Sequence, residues 1–171
     1  MSMFSCCLPI FTKQTKESLP PPPIPTPKPM PIRWEDTIPF VVPVTTAEVI
    51  KVYDGDTITI ATTLPFPNSP LYRFPVRLNG IDCPEIKGSS EEEKSLAREA
   101  RDKLSDMLLH KQVILANVGT EKYGRLLADV FLDQLHINKW LVDNRYAVEY
   151  DGGTKKIPKS WLKYHLTGED T

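Results

Sequence analysis

Residues 47–62 read AEVIKVYDGDTITIAT, two runs of mostly β-branched and apolar side chains on either side of an Asp-Gly turn. The first run covers residues 47–52 and the second covers residues 57–62. β-Branched side chains favour strands, and Asp-Gly between two such runs is a strong hairpin signal. The stretch therefore predicts an antiparallel hairpin at the start of a β-rich domain.

Three further strands and three helices follow from the same kind of pattern. Strands are predicted at residues 72–79, 113–116 and 126–132, and short helices at 135–144 and 155–167. A longer helix begins near Ser90, where Ser90 and Glu93 form a candidate capping box. Apolar residues recur at helical spacing after it: Leu96, Ala97, Ala100, Leu104, Met107 and Leu108.

Five strands with a helix between the third and the fourth match the OB-type barrel. The predicted fold class is thus α+β, a five-stranded OB-fold barrel with about three helices, preceded by a disordered proline-rich tail. Periodicity supports the number and order of the strands, but it does not establish that the barrel closes.

The proline-rich tail is expected to cover residues 1–45, and the folded domain residues 46–171. Of the 17 prolines, 11 lie before residue 45, and the run 19–29 reads LPPPPIPTPKP. Such a run favours an extended polyproline II spacer, although it could also be a ligand for a proline-reading domain. We interpret it as a tether.

The first eleven residues, MSMFSCCLPIF, carry two adjacent cysteines, Cys6 and Cys7. The segment lacks a basic leader and is too short to span a bilayer, so we expect no signal peptide or transmembrane segment. Acylation of Cys6 and Cys7 would anchor the chain to a membrane. The alternative is an unmodified terminus.

The charge balance argues against a passive nucleic-acid binder, and the cysteine content argues against a disulfide-stabilised protein. Residues 46–171 carry 17 Lys or Arg and 19 Asp or Glu, whereas a passive nucleic-acid binder usually has a basic excess. Three cysteines, two of them adjacent, do not form a disulfide framework, which favours a reducing, intracellular or cytoplasmic location.

Three short motifs carry the residues that predict chemistry: DGDT at 54–57, RLNGIDCPE at 77–85 and EKYGR at 121–125. Their key side chains are Asp56, Arg77, Asp82, Glu85 and Arg125. Carboxylates supply hard oxygen ligands for calcium or magnesium, and one further carboxylate can act on a water. Arginine binds phosphate oxygens in pairs and stays charged. Together these groups predict a metal-assisted phosphodiesterase site.

Each motif also has a simpler interpretation when taken alone. Asp54 and Asp56 could merely serve the turn, and Arg125 could be an ordinary surface arginine. Pro84 predicts a bend just past the third strand, and Cys83 within it is interpreted as a small space-filling residue. The three motifs together, in this order, favour the functional interpretation.

The order and spacing of the motifs resemble the staphylococcal nuclease (thermonuclease) family, and the likeness runs from about residue 46 to about residue 156. The resemblance implies an OB-fold barrel and a calcium ion held by Asp56, Asp82 and the backbone carbonyl of Cys83. It also implies that Glu85 activates or orients water and that Arg77 and Arg125 hold the phosphate. Thr57 would assist the metal site.

By the same resemblance, the substrate is DNA or RNA with little sequence preference, and single strands are favoured. The protein is expected to be a monomer. Lys122 and Tyr123 would border the pocket for a terminal phosphate, and Tyr150 would stack there. A rival function is an inactive nuclease-like barrel that serves as a nucleic-acid-binding or scaffold module. A plain single-strand binder would need exposed aromatic residues and a basic groove.

Overall fold

The structure, a computed structural model, describes residues 30–169. Cys6, Cys7 and the polyproline run lie outside these residues, so the tail, its acylation and the tether stay predictions. Residues 30–38 belong to a separate unit that contains a short 3-10 helix, Trp34–Asp36, in which Asp36 accepts a hydrogen bond from the Arg33 backbone. The second unit begins at Pro39.

The second unit contains eight strands and three α-helices. In chain order these are β1 (Thr46–Asp54), β2 (Thr57–Thr63), β3 (Leu71–Leu78), β4 (Ile81–Asp82), α1 (Glu91–Leu108), β5 (Gln112–Thr120), β6 (Leu126–Leu132), β7 (Leu135–His136), α2 (Ile137–Asp143), β8 (Val148–Glu149) and α3 (Trp161–Thr167). No helix within residues 30–169 has the length and hydrophobicity needed to cross a membrane.

Five strands close into a barrel. The order is β3-β2-β1-β5-β6, and β3 also pairs in parallel with β6 through Val76 and Leu126 and through Leu78 and Ala128. This pairing confirms the predicted five-stranded barrel. It also shows that the barrel closes, which the periodicity of the sequence did not establish. The predicted hairpin forms, with Val49 opposite Ile60 and Asp54 opposite Thr57.

Alternation along the strands divides the core from the cleft. Val76 and Leu78 are fully buried in the barrel, whereas Arg77 between them points to the other face. β1 contains two irregularities, before Lys51 and before Asp54. Such bulges bend a strand and increase its twist, which here affects the strand end that leads into the Asp54–Thr57 turn.

Helix α1 packs on the barrel through the predicted apolar positions, of which Leu96, Ala97, Ala100, Leu104 and Leu108 are buried. Ser90 caps the helix by accepting from the Glu93 amide at 3.1 Å. The Glu93 carboxylate does not complete the predicted box; it accepts instead from the amides of Ser89 and Glu85. It thus ties the helix to the segment that carries Glu85.

Two boundaries differ from expectation. Residues 135–136 form the short strand β7, so α2 begins only at Ile137. The last helix begins at Trp161, with Ser160 as its N-cap, and the segment before it is not helical. Pro158 lies in that segment and disfavours a helical conformation for the residue before it. This irregular segment contributes to the site described next.

Candidate active site

All three motifs and the irregular segment after β8 meet in one open cleft of about 380 Å³ at the end of the barrel. Its lining is strongly polar and includes five carboxylates and four cationic side chains: Asp54, Asp56, Asp82, Glu85, Glu121, Arg77, Lys122, Arg125 and Lys155. Tyr53, Tyr123 and Tyr150 line the same cleft. The structure therefore brings together every site residue predicted from residues 56–150.

Arg77 lies at the centre of the cleft and bridges two buried carboxylates. Its guanidinium donates to Asp56 and, over 3.0 Å, to Asp82, and it also contacts the Ile81 carbonyl at 3.2 Å. The arrangement follows from strand pairing. Arg77 stands opposite Thr57 in the β2–β3 register, and the Leu78 amide donates to the Asp56 carbonyl at 2.8 Å.

Burial and neighbouring charges shift the pKa values of Asp56 and Arg77. Removal from water raises the pKa of the Asp56 carboxyl, and the Arg77 charge counteracts part of that shift. Burial also opposes the charged form of Arg77, but Asp56 and Asp82 outweigh it and raise the pKa of the guanidinium. The Arg77 charge thus favours the ionised form of Asp56, and the two acids together favour the charged form of the guanidinium.

Arg125 approaches the same centre from the turn between β5 and β6. Glu121 holds it with two hydrogen bonds, of 2.7 Å to Nε and 3.0 Å to a terminal nitrogen. The hydrogen bond from Arg125 lowers the pKa of Glu121. The turn closes through Gly124, whose φ of +81° is a left-handed conformation that glycine adopts without strain.

Glu85 and Cys83 lie on the bend after β4 and have opposite environments. The Glu85 carboxylate is 64% exposed, so water reaches it directly. Cys83 is buried, and burial raises the pKa of its thiol well above the usual value, so it stays protonated and unreactive. It packs against Gly55, where an added Cβ would lie 3.1 Å from the Cys83 Cβ.

Lys122, Tyr123 and Tyr150 line the cleft. Tyr123 is 74% exposed, and the Lys122 ammonium lies 4.9 Å from its ring centroid. The Tyr150 amide donates to the Gly80 carbonyl, which holds this residue beside the end of β3. An exposed aromatic ring beside a cation is a suitable surface for stacking a nucleobase.

Lys155 is the functional candidate that the sequence interpretation missed. Its ammonium lies 2.9 Å from Asp82 and 3.3 Å from Glu85. The pattern of residues 155–167 predicts a helix there, and 70 positions separate Lys155 from Glu85. The sequence Asp151-Gly152-Gly153 was the available turn signal. In the structure the Gly153 amide donates to Asp151 and Gly152 has a φ of +88°.

The cleft offers part of the donor set of the calcium site implied by the resemblance. Within residues 30–169, no three or more His, Cys, Asp and Glu side chains are grouped as they would be to hold a metal ion. Asp56 and Asp82 do offer two buried carboxylates, and the cationic groups of Arg77 and Lys155 already lie against them. Such oxygens suit a hard cation whose coordination is completed by carbonyl oxygen and water.

The closed barrel and its polar cleft define a nuclease-like domain of the OB-fold class. The chain belongs to the staphylococcal nuclease homologue family, whose profile matches residues 75–163, just over half of the chain. Arg77, Asp82, Glu85 and Arg125 lie within the match, and Asp56 precedes it.

Two curated relatives carry endonuclease names. An uncharacterized endonuclease of Haemophilus influenzae is 33% identical over 105 residues, which are 61% of this chain and 52% of that protein. A probable endonuclease of Schizosaccharomyces pombe is 33% identical over 84 residues, 45% of this chain and 36% of that protein. The aligned part thus spans about half the length of the first relative and about a third of the second.

Proposed function

We propose that this protein is a calcium-dependent endonuclease that hydrolyses phosphodiester bonds of DNA and RNA with little sequence specificity. One observation carries the proposal: Arg77 bridges the buried carboxylates of Asp56 and Asp82 in the cleft that also holds Arg125 and Glu85. Cationic forks beside acidic oxygen donors are the groups that phosphodiester cleavage requires.

Calcium would be held by Asp56, Asp82 and the Cys83 carbonyl. Thr57 supports this set, because its hydroxyl donates to Asp56 at 2.7 Å and so orients the carboxylate. When bound, the ion supplies positive charge that offsets the charge developing on the phosphoryl oxygens. The buried position of both carboxylates strengthens that electrostatic effect.

Glu85 would act on the attacking water, either by taking its proton at a carboxylate oxygen or by orienting it. Its exposure gives water access, and its hydrogen-bonding partner in the structure is a lysine that can move away. A carboxylate tied to a mobile cation rather than to a fixed backbone group keeps an oxygen available for such a role.

Arg77 and Arg125 would hold the phosphate from two sides. Each is already oriented by carboxylates, Arg77 by Asp56 and Asp82, and Arg125 by Glu121. Exchange of one carboxylate contact for a phosphate oxygen places a planar fork against the developing charge with little reorganisation. Both arginines are therefore oriented before substrate binds.

The nucleic-acid strand would pass over Tyr123 and Tyr150, with Lys122 beside its phosphates. Ring faces accept any base, which accounts for low sequence specificity and for a preference for single strands, whose bases are free to stack. The resemblance further implies products that end in 3′-phosphates.

The proposal is tested by incubating the purified protein with end-labelled single-stranded DNA, duplex DNA and RNA in calcium, then determining product lengths and end groups. Internal cuts in all three, fastest in single strands, are expected. Asp82→Asn serves as the matched variant that removes one carboxylate charge. Tight binding without cleavage would favour the rival function, an inactive nucleic-acid-binding module.

A further inference from the structure

Lys155 places a positive charge between two carboxylates of the cleft. The ammonium lies 2.9 Å from the buried Asp82 and 3.3 Å from the exposed Glu85. Both carboxylates outweigh the effect of burial and raise the pKa of Lys155, so the ammonium stays charged. The lysine lies in the irregular segment between β8 and α3.

The two contacts of Lys155 lie in different environments. The Lys155 side chain is 38% exposed and Glu85 is 64% exposed, and ion pairs of that kind are weak in water. Asp82 is buried and shares Arg77 with Asp56, so one guanidinium faces two carboxylates and Lys155 supplies a second positive charge. A divalent cation at these carboxylates would supply the same charge.

Asp82 is the one carboxylate contacted by both Arg77 and Lys155 among the cleft residues described. A divalent cation that binds Asp82 must take the place of the lysine ammonium, because two cations repel each other at such distances. Arg77 lies on a barrel strand, whereas Lys155 has a four-carbon stem, partial exposure and no strand or helix around it. Lys155 is the group that can leave.

We infer that Lys155 competes with the divalent cation for Asp82 and keeps Glu85 engaged until that cation binds. This inference rests on the proposed function, since it assumes that Asp82 binds the metal. It makes Lys155 a positioning residue that sets the metal affinity of the cleft and couples metal binding to the release of Glu85.

Calcium titration by calorimetry of the full chain, without nucleic acid, tests the inference. Lys155→Met should bind calcium about fivefold more tightly than the parent, the factor that corresponds to removing a competing ion pair at the upper end of the exposed range. Lys155→Arg keeps the charge and should stay near the parent. Lys159→Met, an exposed lysine of the same segment, is the matched control.

A merely structural role would not raise metal affinity, so the direction of the change is decisive. If the calcium affinity of Lys155→Met is less than about twice that of the parent, Lys155 does not compete with calcium for Asp82, although the protein still binds calcium. If neither the parent nor Lys155→Met binds calcium, the calcium role in the proposed function is wrong as well. Binding by Lys155→Met alone would be the strongest support.

Discussion

Thr57 Oγ1 lies 3.4 Å from a guanidinium nitrogen of Arg125, and the same hydroxyl donates to Asp56. This contact joins the first motif of the cleft to the third across 68 positions of sequence. It depends on barrel closure, because β3 pairs with β6 just beyond Arg125. The two arginines are thereby linked through a continuous set of contacts that runs from Arg77 to Asp56, Thr57 and Arg125.

Replacing either clamp arginine by lysine should slow cleavage strongly. Arg77→Lys and Arg125→Lys keep the charge but lose the planar fork, so binding of single-stranded DNA should change little. The rate should fall roughly a hundred- to a thousandfold, the cost of losing a preorganised donor set. Single-turnover cleavage and a separate binding titration measure the two effects.

Arg98→Lys is the matched control for those variants, since Arg98 is an exposed residue of α1 outside the cleft. If both clamp variants cleave within about threefold of the parent, where clamp loss should cost at least about a hundredfold, Arg77 and Arg125 do not hold the phosphate.

Glu85→Gln should lower turnover while leaving calcium affinity close to that of the parent. The amide cannot take a proton from water, but Glu85 is not one of the proposed metal ligands. The turnover number and a calcium titration are measured on the same preparation. Glu92→Gln, an exposed acid on α1, controls for the loss of one negative charge. Unchanged turnover in Glu85→Gln would exclude it as the group acting on water.

Gly55→Ala should destabilise the fold by about 1 to 3 kcal/mol, the usual cost of overpacking. The new methyl would lie 3.1 Å from the Cys83 Cβ and 3.2 Å from the Ala100 Cβ, and both neighbours are buried. Urea unfolding measures the change. Gly119→Ala is the control, because Gly119 has no heavy atom within 4 Å of an added Cβ. Equal stabilities for the two variants would contradict the tight contact.

Deleting residues 1–38 should leave cleavage and thermal stability near those of the full chain, because the second unit begins at Pro39. Deleting residues 1–44 should lower the free energy of unfolding by about 1.5 to 3 kcal/mol relative to the first deletion, since Val44 is buried in the barrel core. Thermal melting and cleavage assays compare the two truncations. If the protein lacking residues 1–38 fails to fold, the proline-rich part stabilises the domain.

Local chemistry made most of the barrel and its catalytic candidates predictable. The Asp54–Thr57 turn and the alternation around Arg77 are effects within a few residues, so they could be read from the chain directly. The pairing of Val76 with Leu126 depends on contacts 50 positions apart, and no periodicity encodes it.

The candidate site was predictable only where its residues fall within short motifs. Lys155 could not be identified from the sequence because its position depends on a turn that returns the chain to Asp82. The pattern of residues 155–167 predicts a helix there, whereas the helix begins only at Trp161. Glu121 was visible in its motif, but its function of holding Arg125 became clear only from the two hydrogen bonds between them.

Calcium dependence is tested with labelled single-stranded DNA, incubated in calcium, in excess EDTA, and again after calcium is restored. We expect internal cleavage in calcium, loss of cleavage in EDTA, and recovery on restoration, because Asp56 and Asp82 would provide the metal's carboxylate ligands. Magnesium should support less cleavage, since it demands tighter octahedral geometry. Full activity in excess EDTA would show that cleavage does not require a divalent cation.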